Sequence, residues 1–348
     1  MLKRDSTLKD VARLSGVSVG TVSKYINNPG SVKEKNRRII GETIEMLKYT
    51  PNTLAQRLAK GRSNTILLYM VAEANIGAST WLHQLPFIQA INDYLKPTDY
   101  NLQIKIGAVG NPDESYEYIR NCIYSRNIDG VAIVSAWAVP KKLILGLLKE
   151  DFPFVLVDNH NPLINMNDIT ADNRGMVEFI VDYLAGLGHR KIGFISVDNE
   201  QQHIIDRLDG FRSAMERHGF GADENMILHG DYEIAGGYRC ADEMLSAGIR
   251  PTAIIGGNDN MAVGAIKAIK RHGLSVPGDI SVIGIDNSIV AQASDPVLTT
   301  MSMPVSEVGR LAIENLLMRI EDAGHEIKRT VLPCTFIQGE SVCPPKNI

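Results

Sequence analysis

From Thr65 onward the chain alternates short apolar runs with amphipathic helical stretches, and that alternation restricts the fold more than any single motif does. Candidate strands are 66–71, 102–106, 131–134, 154–157, 191–195, 253–255 and 281–285. Between them Leu85, Ile88, Ile91 and Leu95 share one helical face, as do Val177, Ile180, Val181 and Leu184, and Met261, Ala265, Ile266 and Ile269. Runs apolar on both faces and separated by helices predict parallel sheets covered on both sides. A strand-helix-strand unit needs about 30 residues, and roughly 280 residues exceed one comfortable hydrophobic core. The expectation is an α/β body of two doubly wound, parallel-sheet lobes. Ligands of open sheets bind beyond the carboxyl ends of strands, so an interlobe cleft would be lined by residues just after these runs.

Residues 7–48 read differently, as three short helices. Thr7-Leu8-Lys9-Asp10 has capping-box form, with Leu8, Val11 and Ala12 following at helical spacing. Gly16 permits positive φ in the break 15–18, and Ser18 offers a new N-cap for a helix over 19–26. Two short helices joined by a glycine turn make a helix-turn-helix. Asn27-Asn28-Pro29-Gly30 ends the second, and Ile40, Ile44 and Leu47 form the stripe of a third.

Charge separates this head from the body. Residues 1–62 carry thirteen Lys and Arg against five Asp and Glu, whereas the other residues carry 23 against 35, so a basic head rides on an acidic body. Such a head suits nucleic acid, because Lys and Arg that neutralise phosphates release condensed counterions. The longest nearly apolar stretch, 131–140, has ten residues, against about 20 for a spanning helix. The N-terminus has no apolar h-region. Cys122, Cys240, Cys334 and Cys343 are far apart with no C-x-x-C pair, which suits free thiols in a reducing, cytoplasmic setting. No metal or cofactor is expected, since the eight histidines are scattered and neither G-x-x-x-x-G-K-[ST] nor H-E-x-x-H occurs. Gly16-Val17-Ser18-Val19-Gly20 matches G-x-S-x-G in form, but that nucleophile motif needs a strand before it and a long helix after. An enzyme is therefore not expected.

The string from Thr7 to Asn27, TLKDVARLSGVSVGTVSKYIN, resembles the helix-turn-helix signature of the LacI/GalR family of bacterial transcription regulators. Tyr49-Thr50-Pro51-Asn52-Thr53-Leu54-Ala55-Gln56-Arg57-Leu58 resembles that family's hinge. Leu187-Gly188-His189-Arg190-Lys191-Ile192, Arg207-Leu208-Asp209-Gly210-Phe211-Arg212, Asn258-Asp259 and Ser281-Val282-Ile283-Gly284-Ile285-Asp286-Asn287 are similar to segments of its effector domain, in order. The resemblance implies a head over 1–50, a hinge over 51–63 and a periplasmic-binding-protein-like core over 64–348. Its lobes would be discontinuous: about 64–169 with 302–330, and about 170–301 with 331–348. Two departures stand out. Val32-Lys33-Glu34 lacks the usual cap before the third helix, where Ser31 with Glu34 would supply a displaced capping box. Asn75-Ile76-Gly77-Ala78-Ser79-Thr80-Trp81 replaces the family's Asn-Pro-Phe-Phe-like string, so the first lobe's side of the pocket transfers poorly.

In this family the second helix lies in the major groove, where Val19, Gly20 and Lys24 occupy the reading positions. Lys24 can donate to guanine O6 and N7, Val19 can meet a thymine methyl, and Gly20 allows close backbone approach. Val19 could instead be a core residue. Thr7, Ser18, Thr21, Ser23 and Asn27 suit phosphate contacts. Within the hinge the segment from Asn52 to Lys60 is too short to be an autonomous helix and would fold on binding, Leu58 wedging a base step and Ala55 facing the partner hinge. Matching effector positions are Asp158, Arg207, Asn258 and Asp286, whose groups suit vicinal sugar hydroxyls. Tyr232 falls where an aromatic ring stacks on ligand, and Glu73 and Trp137 join from strand-end position alone. A salt bridge between Arg207 and an acid across the lobes is the competing structural reading. No second arginine precedes Arg207, where Gln201-Gln202-His203 stands, which disfavours a purine-type effector.

The resulting expectation is a homodimeric, cytoplasmic repressor that reads a near-palindromic double-stranded operator under control of a small carbohydrate effector. The alternative is a sugar-binding or sugar-modifying α/β protein whose basic head docks a protein.

Overall fold

The computed structural model describes residues 6–49, 62–72, 78–108, 112–135, 139–161, 163–164, 166–198, 201–326 and 328–346. The chain divides into two units, 1–63 and 64–348.

In the first unit α1 spans Leu8–Ser15, α2 spans Val19–Asn27 and α3 spans Glu34–Leu47. Thr7 caps α1 reciprocally: the Asp10 amide donates to its hydroxyl oxygen at 3.3 Å, while the Thr7 amide donates to the Asp10 carboxylate at 3.0 Å. Gly16 closes α1 at φ 68°, in the left-handed region where a side chain would strain the backbone. Ser18 caps α2, accepting from the Thr21 amide at 3.2 Å. Val11, Ala12, Val22 and Ile40 form the small core. The displaced capping box at Ser31 and Glu34 does not form. Ser31 belongs to the 3-10 turn Pro29–Ser31, its hydroxyl donates to the Asn28 carbonyl at 2.7 Å, and α3 starts behind Lys33 with no side-chain cap.

The second unit holds two six-stranded sheets. Strands β1 (Thr65–Ala72), β2 (Asn101–Ala108), β3 (Gly130–Ser135), β4 (Phe154–Val157), β5 (Asp168–Ala171) and β11 (Arg329–Leu332) are ordered β11-β5-β4-β3-β1-β2. In the second lobe β6 (Ile192–Val197), β7 (Ile227–Gly230), β8 (Ala253–Gly256), β9 (Ser281–Asp286), β10 (Thr299–Ser302) and β12 (Thr335–Ile337) are ordered β12-β10-β9-β8-β6-β7. Pairing is parallel throughout except for β12 on β10. Burial on both faces explains the composition of the strands. Ile66, Leu68 and Met70 of β1 enter one core with Phe87 and Ile91, while Leu67, Tyr69 and Val71 enter the opposite core with Ile119 and Leu143.

The chain crosses between lobes three times, after β5, after β10 and between β11 and β12. The last crossing lies beyond 332, because Val331 and Leu332 still pair with Thr170 and Ala171. In the helix Ala78–Leu95 the expected stripe is rotated at its start. Leu85 is 51% exposed, and the buried positions among the described side chains are Gln84, Phe87, Ile91 and Leu95. These keep the spacing of three and four residues that one helical face requires, with a polar side chain at the first.

Candidate functional site

On the head, α2 presents Val19, Gly20, Lys24 and Asn27 to solvent with Ser23 half-buried among them, and Val22 turns into the core. Val19 is 42% exposed, so it lies on the surface. Thr7 and Ser18 are engaged by their caps. The Thr7 hydroxyl donates to Asp10 at 2.7 Å, and the hydroxyls of Ser18 and Thr21 lie 2.9 Å apart. A phosphate contact by Thr7 must therefore compete with its own capping box. Asn52, Ala55 and Leu58 of the hinge lie outside the described residues, as do Glu73 and Trp137.

In the core a cleft of about 460 Å³ opens between the lobes, beyond the carboxyl ends of β3, β4, β8 and β9. Asp158, Arg207, Tyr232, Asn258 and Asp286 all line it. Arg207 reaches it from the helix Gln202–Arg217 and is 5% exposed. Its Nε donates to Asn173 Oδ1 at 2.8 Å and its Nη1 to the Gly257 carbonyl at 2.7 Å. Nη2 lies 3.5 Å from the Met303 sulfur. No carboxylate pairs with it among the described residues, so the interlobe salt-bridge reading of Arg207 is not realised. Asn258 is the N-cap of the helix Asp259–Arg271: its Oδ1 accepts from the Met261 amide at 2.9 Å, and its Nδ2 donates to the Tyr232 carbonyl at 2.9 Å. This second bond fixes the turn at Tyr232, whose φ is 67°. Asp158, Asp286 and Asn287 also have positive φ, at 52°, 118° and 57°. Left-handed backbone at non-glycine residues concentrates where surrounding structure holds side chains in functional directions.

A third carboxylate lies behind the cleft. Asp259 is 1% exposed; its Oδ1 accepts from the Thr300 hydroxyl and its Oδ2 from the Ser288 amide, both at 2.6 Å. Burial, with the charge of Asp286 beside it, pushes Asp259 up to about 7.

Sequence reasoning missed Gln84, His203, Asn260 and Ser288, which also line the cleft. Asn260 and Ser288 follow named residues within two positions, and Asn260 Nδ2 donates to the same Tyr232 carbonyl at 3.2 Å. Gln84 carried a signal of its own, an amide at a position of the apolar stripe. Among the described residues no cluster of three or more His, Cys, Asp or Glu is placed to hold a metal, and no helix is long and apolar enough to cross a membrane.

Residues 7–52 match the model of the bacterial regulatory proteins, lacI family, and residues 181–342 match a periplasmic binding protein-like domain. The HTH-type transcriptional repressor PurR of Photobacterium profundum is 32% identical over 323 residues, covering 92% of this chain and 94% of the relative. The chain belongs to the lacI family. The probable HTH-type transcriptional repressor ExuR of Bacillus subtilis is 29% identical, covering 97% of this chain and 98% of the relative. Among solved structures, the Lac repressor dimer bound to operator and the anti-inducer ONPF aligns with a TM-score of 0.86 at 24% identity, over 98% of this chain and 100% of that one. The transcriptional regulator CelR in complex with cellobiose aligns with a TM-score of 0.72 at 26% identity, over 97% and 99%. As a lacI-family member the chain is a DNA-binding transcriptional regulator, and its relatives are repressors, not enzymes.

Proposed function

We propose that this lacI-family chain is a repressor whose homodimer grips a near-palindromic operator and releases or tightens on it when a small hydroxylated ligand, a sugar or sugar derivative, enters the interlobe cleft. The observation that carries the reading is the convergence of Asp158, Arg207, Tyr232, Asn258 and Asp286 from separate strand ends, loops and helices on one cleft of about 460 Å³. Carboxylates accept from hydroxyls while guanidinium and amide donate to them, so the group chemistry suits a polyol. A ligand that bridges the lobes differs in affinity between their arrangements, and that difference is what a cleft can transmit to DNA affinity. Val19, Gly20 and Lys24 would face base edges, with Thr21, Ser23 and Asn27 nearer the phosphates. Operator binding of this kind suits a cytoplasmic setting.

The test has two arms. Fluorescence anisotropy with duplex DNA should give a log affinity that falls by several units per unit of log salt. A thermal-shift screen over neutral sugars, sugar acids, phosphosugars and purine bases should then find a ligand that raises the melting temperature and changes DNA affinity. A flat salt dependence, or a response to purine bases alone, would defeat the reading.

A further inference from the structure

We propose that His160 and Asp206 form a latch between the two lobes, one that holds their present arrangement while the imidazole is neutral and releases it on acidification. His160 is thus a positioning residue: it acts on the cleft through the loop and the helix that the latch joins.

Both partners stand on elements that also carry the cleft. His160 lies two residues after Asp158 in the loop behind β4, and Asp206 immediately precedes Arg207 in the helix Gln202–Arg217. Each is fixed to its own lobe. The Asp158 amide donates to the Ile169 carbonyl at 2.8 Å. Arg329 Nη2 donates to the Asn161 carbonyl at 3.1 Å, and its Nε donates to Asp168 at 3.0 Å. On the other side Gln202 Nε2 donates to Asp206 Oδ1 at 2.9 Å. The second carboxylate oxygen, Oδ2, lies 3.4 Å from His160 Nε2. Displacing one lobe against the other therefore parts His160 from Asp206 and moves Asp158 relative to Arg207 in the same step.

The surroundings of the ring favour its neutral form. A carboxylate facing Nε2 selects the tautomer with its proton on that nitrogen, which leaves Nδ1 as an acceptor. Nδ1 is buried without a hydrogen-bond partner, in a side chain 10% exposed. A second proton would make Nδ1 a buried donor with nothing to receive it, on a ring that now bears charge. Four charged groups face the imidazole: Asp206 from the helix, Asp168 from β5, Arg329 from β11 and Asp158 on its own loop. Arg329 opposes the proton and offsets Asp168 through their ion pair. Burial outweighs the attraction of the acids and holds the imidazole below its ordinary value.

Linkage gives the direction. With the lobes parted, both ring nitrogens reach water and proton affinity returns toward its ordinary value. The parted arrangement then binds the proton more readily, so acid favours it below about pH 6.5. A solvated histidine-carboxylate bridge would act with the opposite sign, tightening as pH falls.

Pulsed dipolar electron resonance on the full chain tests this. A spin-labelled residue replaces exposed Lys149 in the first lobe and exposed Ser246 in the second, with excess unlabelled chain to dilute any partner. Between pH 7.5 and pH 5.5 the parent should gain a second distance population, about threefold or more above its share at pH 7.5. His160→Gln keeps an N–H for Asp206 but cannot titrate, and should give one distribution at both values. Asp206→Asn should enlarge the second population at both. A parent distribution unmoved by pH overturns the latch. So does a response that persists in His160→Gln, which would then belong to Asp259 or another group. Should His160→Gln not fold, histidine NMR on the parent decides: an imidazole of His160 that titrates at or above 6.5 overturns the latch, and one below it supports the latch. Any bearing of the latch on operator affinity rests on the reading of the chain as effector-controlled. The distance measurement needs neither DNA nor effector, so either idea can fail while the other stands.

Discussion

His160 Nε2 lies 3.4 Å from the Asp206 carboxylate, a contact that ties the loop after β4 in the first lobe to the helix Gln202–Arg217 in the second. Burial holds the imidazole below its ordinary value of 6.5 despite the attraction of Asp206, with Arg329 acting in the same direction as burial and Asp168 and Asp158 against it. His189, 1% exposed between the Thr252 hydroxyl at 3.0 Å and the Cys343 carbonyl at 2.9 Å, is lowered by burial too.

A histidine whose folded value is depressed contributes stability that is present above about pH 6.5 and lost as pH falls through the folded value, because the unfolded state then binds more protons. The histidine contribution to the melting temperature should therefore drop between pH 7 and pH 5, against an opposing gain from Asp259. His160→Gln should make that drop shallower while leaving the contribution of His189 in place. Melting curves for parent and variant that run parallel across this range would remove His160 from the account.

Asp259 acts with the opposite sign. Its folded value of about 7 lies above 3.8, so its contribution is full below about pH 3.8 and lost as pH rises through 7. Asp286→Asn removes the neighbouring charge but not the burial that is the larger cause. The carboxyl of Asp259, followed by infrared or NMR titration, should then titrate lower than in the parent, though still above the usual carboxylate range. An unmoved titration would mean that burial alone sets it.

The head supports a paired substitution. A Cβ on Gly20 would meet only the Ser18 hydroxyl, at 3.8 Å, so Gly20→Ala fits the free head and favours its helix by roughly 0.5–1 kcal/mol. Pressed into a major groove, the same methyl would crowd the DNA. Gly20→Ala should thus raise the melting temperature of the head and weaken operator binding. Lys24→Ala should cost about 1–3 kcal/mol on the operator and relax preference at one base pair. Equal loss on every sequence would make Lys24 a phosphate contact.

Much of this was legible before the structure, for a physical reason. The central strands are buried on both faces, so an unbroken apolar run announces them; all seven expected runs are strands, the exposed edge strand β2 among them. The strands that went unread are β5, β7, β10, β11 and β12, each four residues or shorter. β11 and β12 alternate exposed and half-buried positions, and Thr299 and Thr300 of β10 bury hydroxyls that accept from Gly339 and donate to Asp259. Their identity depends on partners far away in sequence, which no local pattern carries. The site divides the same way. Asp158, Arg207, Asn258 and Asp286 are placed by their match to the family's effector positions and all line the cleft, whereas Gln84, which no such match names, is buried where the apolar stripe expects Leu85.

That division sharpens the comparison of Arg207 with Asp286. Removing the Arg207 side chain orphans the Asn173 amide oxygen and the Gly257 carbonyl, at about 1–3 kcal/mol for each buried acceptor left unpaired. Arg207→Ala should lower the core's melting temperature by several degrees as well as abolish the effector response. Asp286 is half-buried and repels Asp259, so Asp286→Asn should abolish the response at little cost in stability, or with a gain at pH 8. Both variants should keep operator affinity without effector, because the head is a separate unit with its own core of Val11, Ala12, Val22 and Ile40. In the parent, effector must change operator affinity by the same factor as operator changes effector affinity. Effector affinity measured by calorimetry decides the matter: if Asp286→Asn retains the parent value while Arg207→Ala merely unfolds, both residues serve the fold, and the ligand of this cleft is held by other groups.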